Sequence, residues 1–234
     1  MPPLLGYHIG SISRTIHHQK HDIAFTDIGR NLVPNMSECY IKAIQSIDEA
    51  HARDPRNFMV NDLDVPYELY YARKITNFLD LHCPDATEPL RIAVRAQHLR
   101  RWEVPRASYP MTRAGYYSWR TFLKNRQANQ ARQICVEAGL TNEDADRVAS
   151  LIRKENLKND EESQILEDVA CLVFLDDQFE EFKNGYDEEK IVNILKKTWV
   201  KMSQRGHDLA LKIPMSDEAK ALISKAVLSG NMDN

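Results

Sequence analysis

Nine basic residues, Arg91, Arg95, Arg100, Arg101, Arg106, Arg113, Arg120, Lys124 and Arg126, fall between positions 91 and 126 against a single acid, Glu103. Trp102, Tyr109, Tyr116, Tyr117 and Trp119 are interleaved with them. A planar guanidinium pairs bidentately with phosphate or carboxylate, and an aromatic face stacks on a base, so these residue types at this density suit a nucleotide-like anion. The competing reading leaves the arginines solvated or pairs them with the acid-rich stretch from Glu161 to Glu181, which holds Glu167, Asp168, Asp176, Asp177, Glu180 and Glu181.

Two more residues have the surroundings of functional groups. Asp168 has Ile165, Cys171 and Leu172 three and four positions away. On a helix its carboxylate therefore lies on an apolar stripe, where a charge must be paired or bound. His98 has Val94 one turn before it and Arg101 nearly one turn after, on a segment apolar on almost all sides. Alone, such a histidine is more often a satisfied core residue than a ligand; taken with Asp168, the balance moves towards function. A serine hydrolase or a P-loop is not supported, since neither GxSxG nor a P-loop pattern occurs among the eight glycines.

The elements that must hold these residues are helical. From Ser37, Tyr40, Ile44, Ile47 and His51 form one stripe of a helix that Asn35 or Ser37 would cap. Asp54 to Asn57 reads as a turn, and Pro66 opens a helix with Leu69, Ala72, Ile75 and Leu79 on one side. Thr87 starts a third helix expected to run to about Trp102. Gly115 precedes a long helix, Tyr116 to Ala138, that Gly139 closes. Thr141 to Asp144 has the form of a capping box for a helix that turns Ala145, Val148 and Ile152 inward. Further helices are expected over about 161–182, 187–202 and 217–228, with Lys201 to Arg205 as a helix end closed at Gly206. No segment alternates strictly between turn signals, so no sheet is assigned.

With 234 residues, 43% of them hydrophobic, the chain suits one sizeable core: a tail over 1–35, a helical domain over 36–214, and a short C-terminal helix and tail over 215–234. The 31 Lys+Arg against 34 Asp+Glu leave a net charge of -3, which argues against a generic nucleic-acid or membrane-surface binder. Specificity for an anion must then be local. Cys39, Cys83, Cys135 and Cys171 form no CxxC pair and read as small apolar residues in a reducing compartment. No apolar run is long enough for a membrane span, so a membrane partner is not expected. Residues 1–20 carry no acid, a composition shared by mitochondrial transit peptides and by plain tails. A cytoplasmic location is the expectation, with a mitochondrial one as the alternative.

The strings Ala96-Gln97-His98-Leu99-Arg100-Arg101-Trp102-Glu103, Arg106 to Pro110, Tyr117-Ser118-Trp119-Arg120, Leu151 to Lys154 and Leu166 to Cys171 resemble the fungal and bacterial family called domain of unknown function 4202. Lys197 to Trp199, Lys201 to Ser203 and Arg205 to His207 continue the likeness, which covers roughly 38–213. The helix order also looks like that of a divergent HD-type phosphohydrolase. That second resemblance implies an all-α, HD-like bundle of a single domain in which Glu68 stands for the first histidine, His98 for the His-Asp doublet and Asp168 for the last aspartate. His98 and Asp168 would then organise water or a weakly bound divalent metal, a set poor in ligands unless substrate phosphates complete it. Arg101, Arg106, Arg120, Arg153 and Lys154, with Tyr109 and Trp119, would hold a phosphorylated small molecule, and RNA is a further partner to consider. The expected function is hydrolysis of a phosphate ester, with a non-catalytic anion-binding module as the alternative. Fragments at His8 to Ser11 and Lys201 to Arg205 look like class I aminoacyl-tRNA synthetase signatures, a remote third reading because no strands are legible to carry them.

Overall fold

The computed structural model describes residues 36–230, so the tail over 1–35, with its targeting alternative and His8 to Ser11, lies outside the described residues. The fold is all-α, with one small hairpin. Among the described residues no helix is long and apolar enough to cross a membrane. Two compact units divide the chain, residues 36–73 with 87–153 and residues 74–86 with 154–230, and the backbone passes from the first to the second within one helix.

In the first unit, α1 (Glu38–His51) is capped by Ser37, whose Oγ accepts from the Tyr40 N–H at 3.0 Å. A hairpin follows, correcting the expectation of no sheet: β1 (Asn57–Val60) pairs antiparallel with β2 (Leu63–Pro66). Asn61 and Asp62 turn it with φ of 47° and 62°, the left-handed pair a two-residue turn requires and short polar side chains tolerate. Four-residue strands are too short for their alternation to stand out in the sequence.

Helix α2 (Tyr67–His82) begins just after Pro66. Next, α3 (Glu88–Arg95) is capped by Thr87, whose Oγ1 accepts from the Leu90 N–H at 3.2 Å. It stops seven residues short of the expected Trp102, because His98 (φ 66°) and Arg100 (φ 50°) are left-handed and no helix passes through such residues. A link with two 3₁₀ turns, Arg101–Glu103 and Arg106–Ser108, leads to α4 (Arg113–Ala138). That helix starts earlier than expected: Thr112 is its cap and Gly115 sits in its first turn, tight against Pro110. Gly139 closes it at φ 94°. Helix α5 (Asn142–Arg153) follows Thr141, whose Oγ1 accepts from Asp144 N, and buries Ala145, Val148 and Ile152. Packing of α1 and α5 against α4, and of α3 against α1 and α5, makes this unit's core around Ile47, Leu90, Ile92, Ala131 and Leu151.

The second unit holds the latter part of α2, then α6 (Glu161–Val173), a π turn at Phe174–Gln178, and α7 (Phe179–Phe182). Helices α8 (Glu188–Trp199), α9 (Gln204–Ala210) and α10 (Asp217–Gly230) complete it. The segment from Lys201 to Arg205 is not a helix end closed at Gly206. Ser203 caps a new helix there, its Oγ accepting from the Gly206 N–H at 3.2 Å. Contacts of α6 with α9 and of α8 with α10 enclose Leu166, Leu172, Phe179 and Leu195.

Candidate anion-binding site

The break after α3 places His98 and Arg101. The left-handed backbone at His98 turns its ring onto Tyr71 of α2, stacked at 4.2 Å. Its Nε2 lies 2.8 Å from Arg101 Nη1. A guanidinium only donates, so His98 presents a lone pair at Nε2 and carries its proton on Nδ1. Burial, then the charges of Arg101, His51, Arg120 and Arg56, hold its pKa well below the usual imidazole range, so the ring is neutral.

The Arg101 guanidinium stands over Trp119, 4.9 Å from the ring centre. Burial and then the neighbouring Arg120 lower its pKa from the usual guanidinium value. Arg120, on α4, donates through Nη1 to the Tyr116 hydroxyl at 3.3 Å. His98, Arg101 and Arg120 all retain accessible surface. Two cations thus stand together in a recessed position that solvent reaches, held partly by neutral acceptors, and such a place can take an anion.

A second layer lies beneath them. Asp54 is buried and grips Arg56 through both oxygens, at 2.9 Å to Nε and 2.7 Å to Nη2, and its Oδ2 accepts from the Glu68 N–H at 3.1 Å. Burial opposes the charge on Arg56, but Asp54 outweighs it and the Arg56 pKa rises. Glu68 Oε1 accepts from the Trp102 N–H at 3.1 Å and from Arg56 Nη2 at 3.3 Å, while Oε2 faces His51 Nδ1 at 3.5 Å. Burial, against the pull of His51, raises the Glu68 pKa above the usual carboxylate range.

The remaining expected residues of this unit have other tasks. Trp119 is 3% exposed, packs with Tyr116 and Leu123, and donates Nε1–H to Val104 O at 2.9 Å. Its ring and that of Tyr116 serve as platforms for arginines: Arg106 and Arg120 stand 5.9 and 6.0 Å from the Tyr116 centre. Arg106 also donates to the carbonyls of Tyr109, Pro110 and Thr112, fixing the link. Tyr109 is half-buried, its ring 6.2 Å from that of Phe122. Arg153 Nη2 donates to Asn129 Oδ1 at 2.6 Å.

Asp168 belongs to the second unit, as does Lys154, whereas Glu68, His98 and the arginines belong to the first. Asp168 is fully enclosed. Oδ1 accepts from Gln164 Nε2 and the Ser203 N–H, each at 2.9 Å. Oδ2 accepts from His82 Nε2 at 2.9 Å and from the Ser203 hydroxyl. Burial alone would raise its pKa, yet these donors together lower it. Lys154 bonds Glu167, which Lys201 also approaches at 3.6 Å. Burial pushes the thiols of Cys135 and Cys171 up to about 12, so neither is a nucleophile near neutrality. Among the described residues, no group of three His, Cys, Asp or Glu side chains is arranged to hold a metal ion.

Sequence reasoning missed His51, Asp54, Arg56 and His82. His51 had left a signal, a histidine at the end of the apolar stripe of α1. Asp54 and Arg56 read only as turn residues.

Compared with described families, residues 41–223 match the one designated Domain of unknown function (DUF4202). No curated protein and no solved structure matches the chain.

Proposed function

The chain belongs to the DUF4202 family, and we propose that it binds a phosphorylated small molecule through Arg101 and Arg120. The carrying observation is that Arg120 stands close enough to Arg101 to disfavour its charge where burial already opposes it, and an anion between them would relieve that repulsion. His98 Nε2 and the Tyr116 hydroxyl accept from Arg101 and Arg120 and so orient the two groups. The neighbouring aromatic faces are taken by arginines, so the phosphoryl group rather than a stacked base is the recognised part.

Titration calorimetry with phosphate monoesters at low salt tests this. A charge-assisted hydrogen bond contributes roughly 1.5–3 kcal/mol, so Arg101→Ala is expected to weaken binding about tenfold to a hundredfold, and Arg120→Ala somewhat less. Binding unchanged in both variants, or no ester bound at all, overturns the reading. The hydrolase expectation keeps these arginines and adds turnover assisted by His98 and Glu68; Asp168, enclosed in the second unit with both oxygens occupied, takes no part in it. Steady phosphate release from the bound ester, lost in His98→Ala, is the result that would extend binding to catalysis.

A further inference from the structure

His51 ends α1 and Glu68 stands in the first turn of α2, with both side chains enclosed. His51 Nε2 lies 3.0 Å from the Arg95 carbonyl oxygen. A carbonyl only accepts, so Nε2 carries a proton. Nδ1 then faces Glu68 Oε2 across 3.5 Å, and neither atom has a hydrogen-bond partner. A neutral imidazole opposite an ionised carboxylate would set two lone pairs face to face in a dry interior. One additional proton turns the same two atoms into a bonded acid–base pair.

The other oxygen of Glu68 accepts from the peptide N–H of Trp102, the residue directly after Arg101. The pair therefore touches both the backbone and the charge balance of the anion site. We propose that His51 and Glu68 hold one proton between them, and that its loss weakens anion binding by leaving a buried carboxylate close to Arg101. The regulatory half of this statement rests on the anion-binding reading; the shared proton does not.

The other groups around the pair do not mask the effect. From the α1–β1 connection come Asp54 and Arg56, which cancel each other in a bidentate ion pair. Neutral His98 of the link faces His51, and Arg101, on which Tyr67, Tyr71 and Arg120 also act, faces Glu68. Burial already holds the Glu68 carboxyl above its usual range, against the pull of His51 and Arg56.

Sulfate is the probe, because it stays doubly charged throughout the working range and contributes no titration of its own. Calorimetry at constant ionic strength is expected to show wild-type affinity falling on the order of tenfold as the pair loses its proton. Glu68→Gln substitutes an amide N–H for that proton: Nε2 donates to His51 Nδ1, and Oε1 keeps Trp102 and Arg56. This variant is expected to bind sulfate at the wild-type low-pH level with no slope. A flat wild-type profile, or a slope retained in Glu68→Gln, overturns the coupling.

A second readout needs no anion. The ¹⁵N shift of His51 Nδ1 is expected to move with pH in the wild type and to stay fixed in Glu68→Gln. Ring nitrogens that titrate identically in both proteins overturn the shared proton, whatever sulfate does. Sulfate binding at no pH overturns the anion-binding reading and the coupling together, and the ring nitrogens still decide the proton.

Discussion

Glu68 and Asp168 are both carboxylates buried on helices, and the two units treat them in opposite ways. Asp168 receives four donors from His82, Gln164 and Ser203, and it stays ionised with its pKa lowered in spite of burial. Glu68 receives donors on Oε1, while its Oε2 is left opposite a ring nitrogen, and there burial wins. Equal enclosure therefore says little about role. A filled carboxylate is a joint between elements, and one filled by halves is where a proton, and with it a controllable charge, resides.

The largest expected effect comes from breaking the joint. Asp168→Ala would strand the His82, Gln164 and Ser203 donors inside the second unit, at a cost of about 3–5 kcal/mol. Denaturant unfolding checks this, and a loss under about 1 kcal/mol would show that the four bonds are not the joint they are taken to be. The pH dependence has a definite sign. Because the Asp168 pKa is depressed on folding, its stabilisation is present above the unfolded-state value and is lost as pH falls through the folded one. The second unit should therefore soften in acid, and Asp168→Asn should reduce that sensitivity.

Gly206→Ala tests the same joint by crowding it. A Cβ at Gly206 would stand 2.8 Å from Asp168 Cγ, and Asp168 is fixed by its donors and cannot swing aside. A loss of about 2 kcal/mol is expected. Ser203→Ala is milder: it removes one donor to Asp168 and the cap of α9 together, about 1–2 kcal/mol in all. If Ser203→Ala costs as much as Asp168→Ala, the hydroxyl rather than the carboxylate is the centre of the joint.

Much of this arrangement follows from local signals. Thr87, Thr141 and Gly139 mark helix ends through side-chain oxygens and a left-handed glycine, features that need no tertiary context. The end of α3 was not legible, because a left-handed histidine followed two residues later by a left-handed arginine has no sequence signature. That one break decides the site, since it swings Arg101 onto Trp119 and His98 onto Tyr71. The density of arginines and aromatics singles out this stretch, but composition does not say which faces are buried. Trp119 and Tyr116 consequently read as ligand-stacking surfaces when they carry arginines. The His51–Glu68 pair joins positions 17 residues apart across two helices and a hairpin, a distance over which periodicity carries no information.

The smallest expected effect distinguishes the two carboxylates most directly, because its sign reverses. At Asp168 an amide replaces an acceptor that four donors need, so it destabilises. At Glu68 an amide supplies the hydrogen that His51 Nδ1 lacks and leaves the bonds to Trp102 and Arg56 in place. The raised pKa of Glu68 means that its favourable contribution is full below the unfolded-state value and fades as pH rises through the folded one. Glu68→Gln should therefore match the wild type in mild acid and exceed it by about 1 kcal/mol on the alkaline side. Denaturation midpoints of the two proteins, followed from acid to alkali, are expected to coincide and then diverge. A variant less stable than the wild type at every pH would mean that Glu68 is needed as an ion, as Asp168 is, and the contrast between the two sites would disappear.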